Sequence, residues 1–486
     1  MDVALASRNV IYARAIGLAR AIIAPHRLYL AIAGVFGVAF LIVTPPGGGP
    51  DEVARFEAVY ETAVGRPAGA DGMPSGLAAF TEKTLNLAFS RRPYEASDVA
   101  ELNAYELNAS TLAEYDNKGQ RILRVHNPLA SAPYLPAMWL GLALELRPAT
   151  IFFICKLTTL VLGLLTMTAA IRIAPARNEA LAAVALWPTP VFMLGTANFD
   201  AILIGSAFLF CALIARSAAQ PTRRLGRKEI LLIAALGASL GIMKTPYALV
   251  PLLAVFLPSR AFGSLRARWA SIAAIVLPGA AIAVAWALFV RTSIVGDAVY
   301  VGSTGWTIAP AAQFRGVIDN PLGFLGVLAN TFNDPSGLAK TIASAVGWLG
   351  WNRVMLPAWV YGVALVGVAL IVFNTKNGPA RLVRRDAVLA QCAVGGLFTL
   401  GSLALLYLQF TPVGHDRVLG FQGRYLVPLA PLLLAWPPGR MTLLPTRAGR
   451  AALIAGVALV CLPVSVLEVA AAYHAPVAAA LGRSAG

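Results

Sequence analysis

The sequence predicts an all-α protein that crosses a membrane many times, and two observations support this fold class. Hydrophobic residues make up 58% of the 486 positions and charged residues 13%, about half the charged fraction of soluble domains. Runs such as 151–171 and 269–290 are long enough for a helix to cross roughly 30 Å of hydrocarbon. These runs lack the polar and apolar alternation of strands, so a transmembrane barrel is not expected.

The apolar runs predict about eleven transmembrane helices. The first, 28–44, follows a basic tail at 1–27. The run 134–146 is too short to cross and lies between Pro133 and Pro148, so we expect a juxtamembrane or re-entrant helix on the outer face. The other expected spans are 150–172, 179–195, 200–216, 229–243, 246–258, 269–291, 355–374, 386–410, 424–437 and 451–472.

Two polar segments separate the spans, and we expect both to be extracytoplasmic. The large first loop, 45–149, contains an amphipathic stretch starting near Val53 and a second helical stretch that Asp98 would cap. Both stretches are expected to lie on the membrane surface. The remaining divisions are transmembrane helices in 150–291, a second outer loop at 292–354, transmembrane helices in 355–472 and an outer tail at 473–486.

The net charge of +16 is distributed unevenly, which predicts the orientation. Six segments on one side of the membrane hold 21 of the 39 Lys and Arg, and within and beside them lie only 4 of the 23 Asp and Glu, namely Asp2, Glu179, Glu229 and Asp386. The positive-inside rule places them in the cytoplasm, so the basic charge indicates the topology of the protein. Membrane lipids are the expected surroundings, and no nucleic-acid partner is expected. The six segments are the tail 1–27, 172–177, 216–228, 260–268, 376–385 and 440–450.

Acidic residues occur at two outer span ends. Asp51 and Glu52 follow the first span, and two adjacent carboxylates near a low-dielectric boundary suit general-base chemistry. The structural alternative is that they cap the helix that begins near Val53. Asn198 and Asp200 open a later span, where Asp200 is either a helix cap or a second acid facing the same cavity.

Two cations occur at the same expected depth. Lys244 lies in a tight turn before Pro246 and Tyr247, where a cation is costly unless it meets an anion or reaches the interface. Arg424, between Gln422 and Tyr425, carries a guanidinium that suits phosphate oxygens. The alternatives are an interfacial lysine, and for Arg424 a lipid-headgroup contact or a structural ion pair. Two acids and two cations at one depth favour an extracytoplasmic active site.

Several short motifs, in this order, resemble a bacterial family of multi-pass membrane proteins that is grouped with the GT-C glycosyltransferases. The resemblance extends from about residue 28 to 437. One departure is Arg55, at a position where that family commonly has His. The motifs are Pro50-Asp51-Glu52, Asn127-Pro128 to Tyr134-Leu135-Pro136, Asn198-x-Asp200, Lys244-x-Pro246-Tyr247, Gly347-Trp348-x-Gly350-Trp351 and Gln422-Gly423-Arg424-Tyr425.

The resemblance implies a GT-C-like fold and a transfer reaction on the outer face of a bacterial inner membrane. Such enzymes move a sugar from a polyprenyl-phosphate carrier to an envelope glycan, lipid or protein. It implies Asp51 or Glu52 as the catalytic carboxylate and Asn198 with Asp200 on the acceptor or metal side. A divalent cation, Mg²⁺ or Mn²⁺, is left open. The expected donor-phosphate contacts are Arg55, Lys244, Tyr247, Gln422, Arg424 and Tyr425.

Two other classes of function remain as alternatives to glycosyl transfer. A flippase or other transporter of lipid-linked sugars would place ionisable groups near the middle of its spans, which here are nearly free of charge. An envelope-polysaccharide ligase or polymerase would use a diphosphate carrier. The sequence identifies neither the sugar nor the acceptor.

Overall fold

The computed structural model describes residues 24–65, 73–107, 112–113, 127–220, 223–289, 300–301, 307–374, 385–434 and 443–482, and most of them are helical. The helices are α1 (Pro25–Val43), α2 (Glu52–Ala63), α3 (Ser75–Ser90), α4 (Ala96–Ala104), α5 (Leu135–Ala143), α6 (Pro148–Ile173), α7 (Asn178–Ala185), α8 (Pro188–Leu194), α9 (Asp200–Ala219), α10 (Arg227–Met243), α11 (Leu265–Phe289), α12 (Pro310–Asp319), α13 (Pro321–Phe332), α14 (Pro335–Val346), α15 (Ala358–Asn374), α16 (Arg385–Gln409), α17 (Ala430–Leu434), α18 (Arg447–Tyr473) and α19 (Ala475–Ala480).

Short elements connect these helices. In the part of the chain that the structure describes, five segments are 3₁₀ helices, and three antiparallel pairs of two-residue strands join β1 to β2, β3 to β4 and β5 to β6. The 3₁₀ segments are Pro128–Tyr134, Thr245–Phe256, Ser259–Ala261, Gly423–Tyr425 and Val427–Leu429. The strands are β1 (Met73–Pro74), β2 (Leu112–Ala113), β3 (Tyr300–Val301), β4 (Thr307–Ile308), β5 (Trp348–Leu349) and β6 (Val354–Met355).

Six helices in the described part of the chain are long and apolar enough to cross a membrane: α1, α6, α9, α11, most of α16 and α18. Large apolar side chains on their outer faces are exposed, among them Ile42, Leu165 and Leu277. Such faces are typical of contact with lipid rather than water. The protein is therefore an all-α, multi-pass membrane protein. The expected count of about eleven transmembrane helices is not confirmed.

Proline accounts for much of this difference, because it removes a backbone donor and restricts the residue before it. The expected span 179–195 is two short helices, α7 and α8, separated at Trp187, which is extended ahead of Pro188. The run expected at 246–258 is a 3₁₀ helix with Pro251 inside it. The run expected at 424–437 is, as far as residue 434, two 3₁₀ turns followed by the five-residue α17.

The core is formed by α9, the most buried of the six long helices, against α6. Gly205 of α9 lies directly against Thr166 of α6, so any larger residue there would collide with the threonine side chain. Helix α1 packs on α6, α8 and α18. The carboxyl-terminal part of α1 lies against Gly195, five residues before the start of α9.

Helix α2, in the polar segment after α1, packs into the protein rather than lying on the membrane surface. Ten of the twelve residues of α2 are buried, including Glu52 and Arg55, so the expected surface location of this helix is wrong. The cap assigned to Asp98 is also wrong in detail. Glu95 is the capping residue of α4, and Asp98 is the third helical residue of a capping box.

The segment between α11 and α15 contains three helices, α12 to α14, where the sequence indicated only a loop rich in Gly, Asn and Pro. Helix α14 packs against the turn Gly423–Tyr425. The Ser344 hydroxyl of α14 accepts a hydrogen bond from the Gly423 amide at 2.7 Å. That contact fixes the turn that carries Arg424.

Candidate functional site

The loop between α1 and α2 carries Asp51, and side chains from distant parts of the chain hold its backbone in place. The side chains come from the first outer segment, two long helices and the start of α9. An anchored loop of this kind fixes the position of the carboxylate at its end. The bonds run from Lys156 Nζ to Thr44 O (2.6 Å), Tyr94 Oη to Pro46 O (2.9 Å), Tyr473 Oη to Gly48 O (2.8 Å) and Asn198 Nδ2 to Pro50 O (2.7 Å).

Asp51 occupies the N-cap position of α2, but its side chain does not cap the helix as the structural alternative expected. Its backbone is left-handed (φ 59°), and its side chain makes no capping hydrogen bond. A side-chain cap normally needs an extended residue at that position. The side chain is instead 34% exposed and faces Arg424, with 3.8 Å between Asp51 Oδ2 and Arg424 Nη2. The carboxylate is thus accessible and adjacent to a cation.

Glu52, next in sequence, has a different environment. It is fully buried, and its two oxygens accept hydrogen bonds from the backbone amides of Gly49 (2.8 Å) and Ala197 (2.6 Å). Burial raises the pKa of the carboxyl group, while the charge of Lys156 and these hydrogen bonds act in the opposite direction. Glu52 therefore joins the Asp51 loop to the start of α9 and is not available to a substrate.

Asn198 and Asp200 link the loop to the first turn of α9. The Asn198 side chain donates to Pro50 O, and its Oδ1 accepts from the Asp200 amide at 3.1 Å. Asn198 is fully buried and has a positioning role in this structure. Asp200 Oδ1 lies 2.6 Å from Lys244 Nζ, which confirms that these two span ends meet.

The four charged groups indicated by the sequence form one cluster. Arg424 lies between the two acids, with its Nε 4.0 Å from Asp200 Oδ2 and its Nη2 3.8 Å from Asp51 Oδ2. Lys244 completes the cluster through Asp200. Each acid thus faces at least one cation, and the cations retain donors that could bind a further oxyanion.

Aromatic residues form one side of the cluster. The Tyr425 ring lies 4.9 Å from Lys244 Nζ and 5.5 Å from the Arg424 guanidinium carbon. Tyr247 donates its hydroxyl hydrogen to Tyr425 O at 2.7 Å, so it supports the ring rather than offering its hydroxyl to a ligand. Gln422 is half-buried and extended, and precedes the turn.

Asp200, Lys244, Tyr247 and Arg424 also line a cavity of only about 10 Å³. This volume is enough for about one water molecule. The Lys244–Asp200 ion pair closes the space in this conformation. A phosphate group would therefore have to compete with Asp200 for Lys244.

Arg55 does not join this cavity, although the resemblance groups it with Lys244 and Arg424. It lies one turn after Asp51 on α2, with its guanidinium carbon 3.7 Å from the centre of the Phe199 ring. Burial lowers the pKa of Arg55 to about 10, and the charges of Asp51 and Asp200 oppose this shift. The Arg55 side chain instead lines a second small cavity, together with Tyr134 and Phe199.

The acids do not form a ready metal centre. Among the described residues, no group of three or more His, Cys, Asp or Glu side chains is placed to hold a metal ion. Asp51 and Asp200 face cations, which would repel a divalent ion. The described residues of the cluster therefore do not fit a resident Mg²⁺ or Mn²⁺.

Sequence reasoning overlooked the residues that anchor the loop. Lys156 is a buried lysine within α6, and it donates to the carbonyl oxygens of Leu41 and Thr44 at the end of α1. An ionisable residue inside a span is a recognisable indication of a special role. Tyr94 and Tyr473 gave no comparable indication, because their partners are 48 and 425 residues away in the chain.

Comparison with known proteins identifies a family that matches most of the chain. A family described as a predicted membrane protein (DUF2142) matches residues 35–433, a region that contains the whole charged cluster. That description names a membrane location and no activity. No curated protein and no solved structure matches the chain.

Proposed function

Since the chain belongs to this DUF2142 family of membrane proteins, we propose from its charged cluster that it is a glycosyltransferase of the membrane. It moves a sugar from a polyprenyl-phosphate carrier to an acceptor of the cell envelope on the extracytoplasmic face of a bacterial inner membrane. The observation that carries the proposal is the accessible carboxylate of Asp51 beside Arg424, in one cluster with the Asp200–Lys244 ion pair.

The cations are suited to the donor. A polyprenyl chain would lie against the apolar helices, and its phosphate would meet Lys244 and Arg424 at their ends. The charge on the departing phosphate grows as the bond to the sugar breaks, and cations fixed beforehand stabilise it most at that point. Because Lys244 is paired with Asp200 at 2.6 Å, donor binding would open this pair.

Asp51 is suited to the proton transfer. The acceptor hydroxyl attacks the anomeric carbon, its proton moves to the Asp51 carboxylate, and the bond from the sugar to the phosphate oxygen breaks. A carboxylate can do this only if substrate reaches it, and Asp51 is accessible whereas Glu52 is fully buried. We therefore propose Asp51 as the base and Glu52 as a positioning residue.

The contacts of the buried Lys156 favour sugar transfer over transport. A transporter would be expected to expose ionisable groups along a path through its spans. Lys156 lies within α6, but its amine is bound to two backbone carbonyl oxygens and supports the Asp51 loop. Within the charged cluster, Asp51, Asp200 and Lys244 lie at helix ends.

A deletion strain complemented at equal membrane levels with wild type, Asp51→Asn or Asp319→Asn tests the proposal. Asp319 is an exposed acid at the end of α12 and serves as the matched control. Mass spectrometry of envelope glycans and lipid-linked sugars should show that wild type and Asp319→Asn restore a missing sugar. Asp51→Asn should leave it missing, with its lipid-linked donor accumulated. Full restoration by Asp51→Asn would refute the assignment.

A further inference from the structure

Arg55 is a buried cation that has no carboxylate partner within the described ranges. It is 7% exposed, its Nε atom is buried without a hydrogen-bond partner, and no ion pair to it occurs among the described residues. The nearby acids are engaged elsewhere, Asp51 with Arg424 and Asp200 with Lys244 and Arg424. An unpaired charge in such a place is costly for the folded protein, so its presence calls for a ligand.

The side chain of Arg55 lies in a cavity of its own. Ser131, Tyr134, Cys155 and Phe199 also line it, and it shares no lining residue with the Lys244 cavity. Phe199 lines the first cavity and its neighbour Asp200 the second, so the start of α9 separates them. Two separate cationic positions therefore flank the Asp51 loop.

The Arg55 cavity is built largely from the first outer segment. Arg55 and Phe56 come from α2, and Ser131 and Tyr134 come from the 3₁₀ helix Pro128–Tyr134. The Lys244 cavity is instead lined by α8, α9 and residues next to the apolar segment Thr245–Phe256. A lipid-linked donor suits the second cavity, and a water-borne group suits the first.

We infer that Arg55 binds an oxyanion, a carboxylate or a phosphate, carried by the acceptor. This inference rests on the proposed function and adds the chemical class of the acceptor to it. Arg55 lies one turn after Asp51, with its backbone amide bonded to Asp51 O at 3.0 Å. An acidic group held there would place a neighbouring hydroxyl near the Asp51 carboxylate, while the donor phosphate occupies the Lys244 side.

The stability of Arg55 variants distinguishes an anion site from a structural contact. If the stacking of Arg55 on Phe199 is structural, Arg55→Met should lower the thermal unfolding midpoint. If Arg55 awaits an anion, removing its unpaired charge should raise the midpoint in the absence of the anion. Arg315→Met, at an exposed position of α12, is the matched control and should leave the midpoint unchanged.

The experiment measures the unfolding midpoint of the purified full chain in uncharged lipid nanodiscs, titrated with phosphate or acetate against chloride at constant ionic strength. Wild type and Arg315→Met should be stabilised by at least one of the two anions, and which one indicates whether the acceptor group is a phosphate or a carboxylate. Arg55→Met should have a higher starting midpoint and an apparent anion affinity weaker by about tenfold or more.

Two results would overturn the inference. One is a lower midpoint for Arg55→Met with an unchanged anion response. The other is a phosphate response that Lys244→Met abolishes and Arg55→Met retains, because the anion would then bind on the donor side. The measurement does not depend on sugar transfer. The anion response could therefore depend on Arg55 even if Asp51→Asn restores the missing sugar. In that case the anion site would stand and the proposed function would fail.

Discussion

Replacement of Glu52 by alanine should destabilise the protein far more than replacement of any exposed acid. The Glu52 carboxyl group accepts from the buried amides of Gly49 and Ala197, so its removal leaves two backbone donors without acceptors. Each unsatisfied buried donor costs about 1–3 kcal/mol, which gives roughly 2–6 kcal/mol before any loss of packing. Glu52→Gln retains one acceptor oxygen and should cost about half as much.

The assay is the thermal unfolding midpoint of the full chain in lipid nanodiscs, with Glu82→Ala as the matched control. Glu82 is an exposed acid on α3, and its replacement should change the unfolding free energy by less than about 0.5 kcal/mol. We expect the unfolding midpoint to be highest for Glu82→Ala, lower for Glu52→Gln and lowest for Glu52→Ala. Equal midpoints for Glu52→Ala and Glu82→Ala would refute the structural role of Glu52.

Three further predictions concern the residues around the cluster. Tyr473→Phe removes only the hydroxyl bound to Gly48 O, so it should lower kcat for sugar transfer severalfold with little effect on folding. An unchanged kcat would show that this anchor is dispensable. Lys244→Gln should raise KM for the lipid-linked donor by about tenfold or more, and a wild-type KM would argue against donor binding there. The Arg92 hydrogen bond holds the pKa of Asp98 down at about 2, so this pair stabilises the fold above the ordinary aspartate pKa of about 3.9. That stabilisation is lost as the pH falls through about 2. Asp98→Asn should therefore lower the free energy of unfolding at neutral pH by less than about 1 kcal/mol, and this difference from wild type should vanish on acidification. Urea unfolding across that pH range is the measurement.

The sequence could predict the charged cluster because span ends on one side of a membrane lie at one depth. The sequence places Asp51, Asp200, Lys244 and Arg424 at the ends of apolar runs, and the structure brings them within ion-pair distance in a chain Asp51–Arg424–Asp200–Lys244. The presence of many apolar helices followed from composition. Both predictions rest on properties that are local in sequence.

The remaining features depend on geometry that is not local. Asp51 and Glu52 are equivalent as a sequence pair, and only the left-handed backbone at Asp51 and the remote Ala197 amide give them different environments. The anchoring of the loop by Tyr473 joins residues 425 positions apart. The short broken helices follow from prolines within runs whose hydropathy alone resembles that of a full span.

The most direct test of the central claim is single-turnover sugar transfer by purified protein in liposomes. The donor would be the lipid-linked sugar that accumulates in the deletion strain, and the acceptor the envelope fraction of that strain. Wild type and Asp319→Asn should consume the donor at equal rates, and Asp51→Asn should be slower by about 100-fold or more, because it cannot accept the proton. Equal rates for Asp51→Asn and wild type would contradict the role of Asp51, and donor left unconsumed by wild type would contradict glycosyl transfer itself.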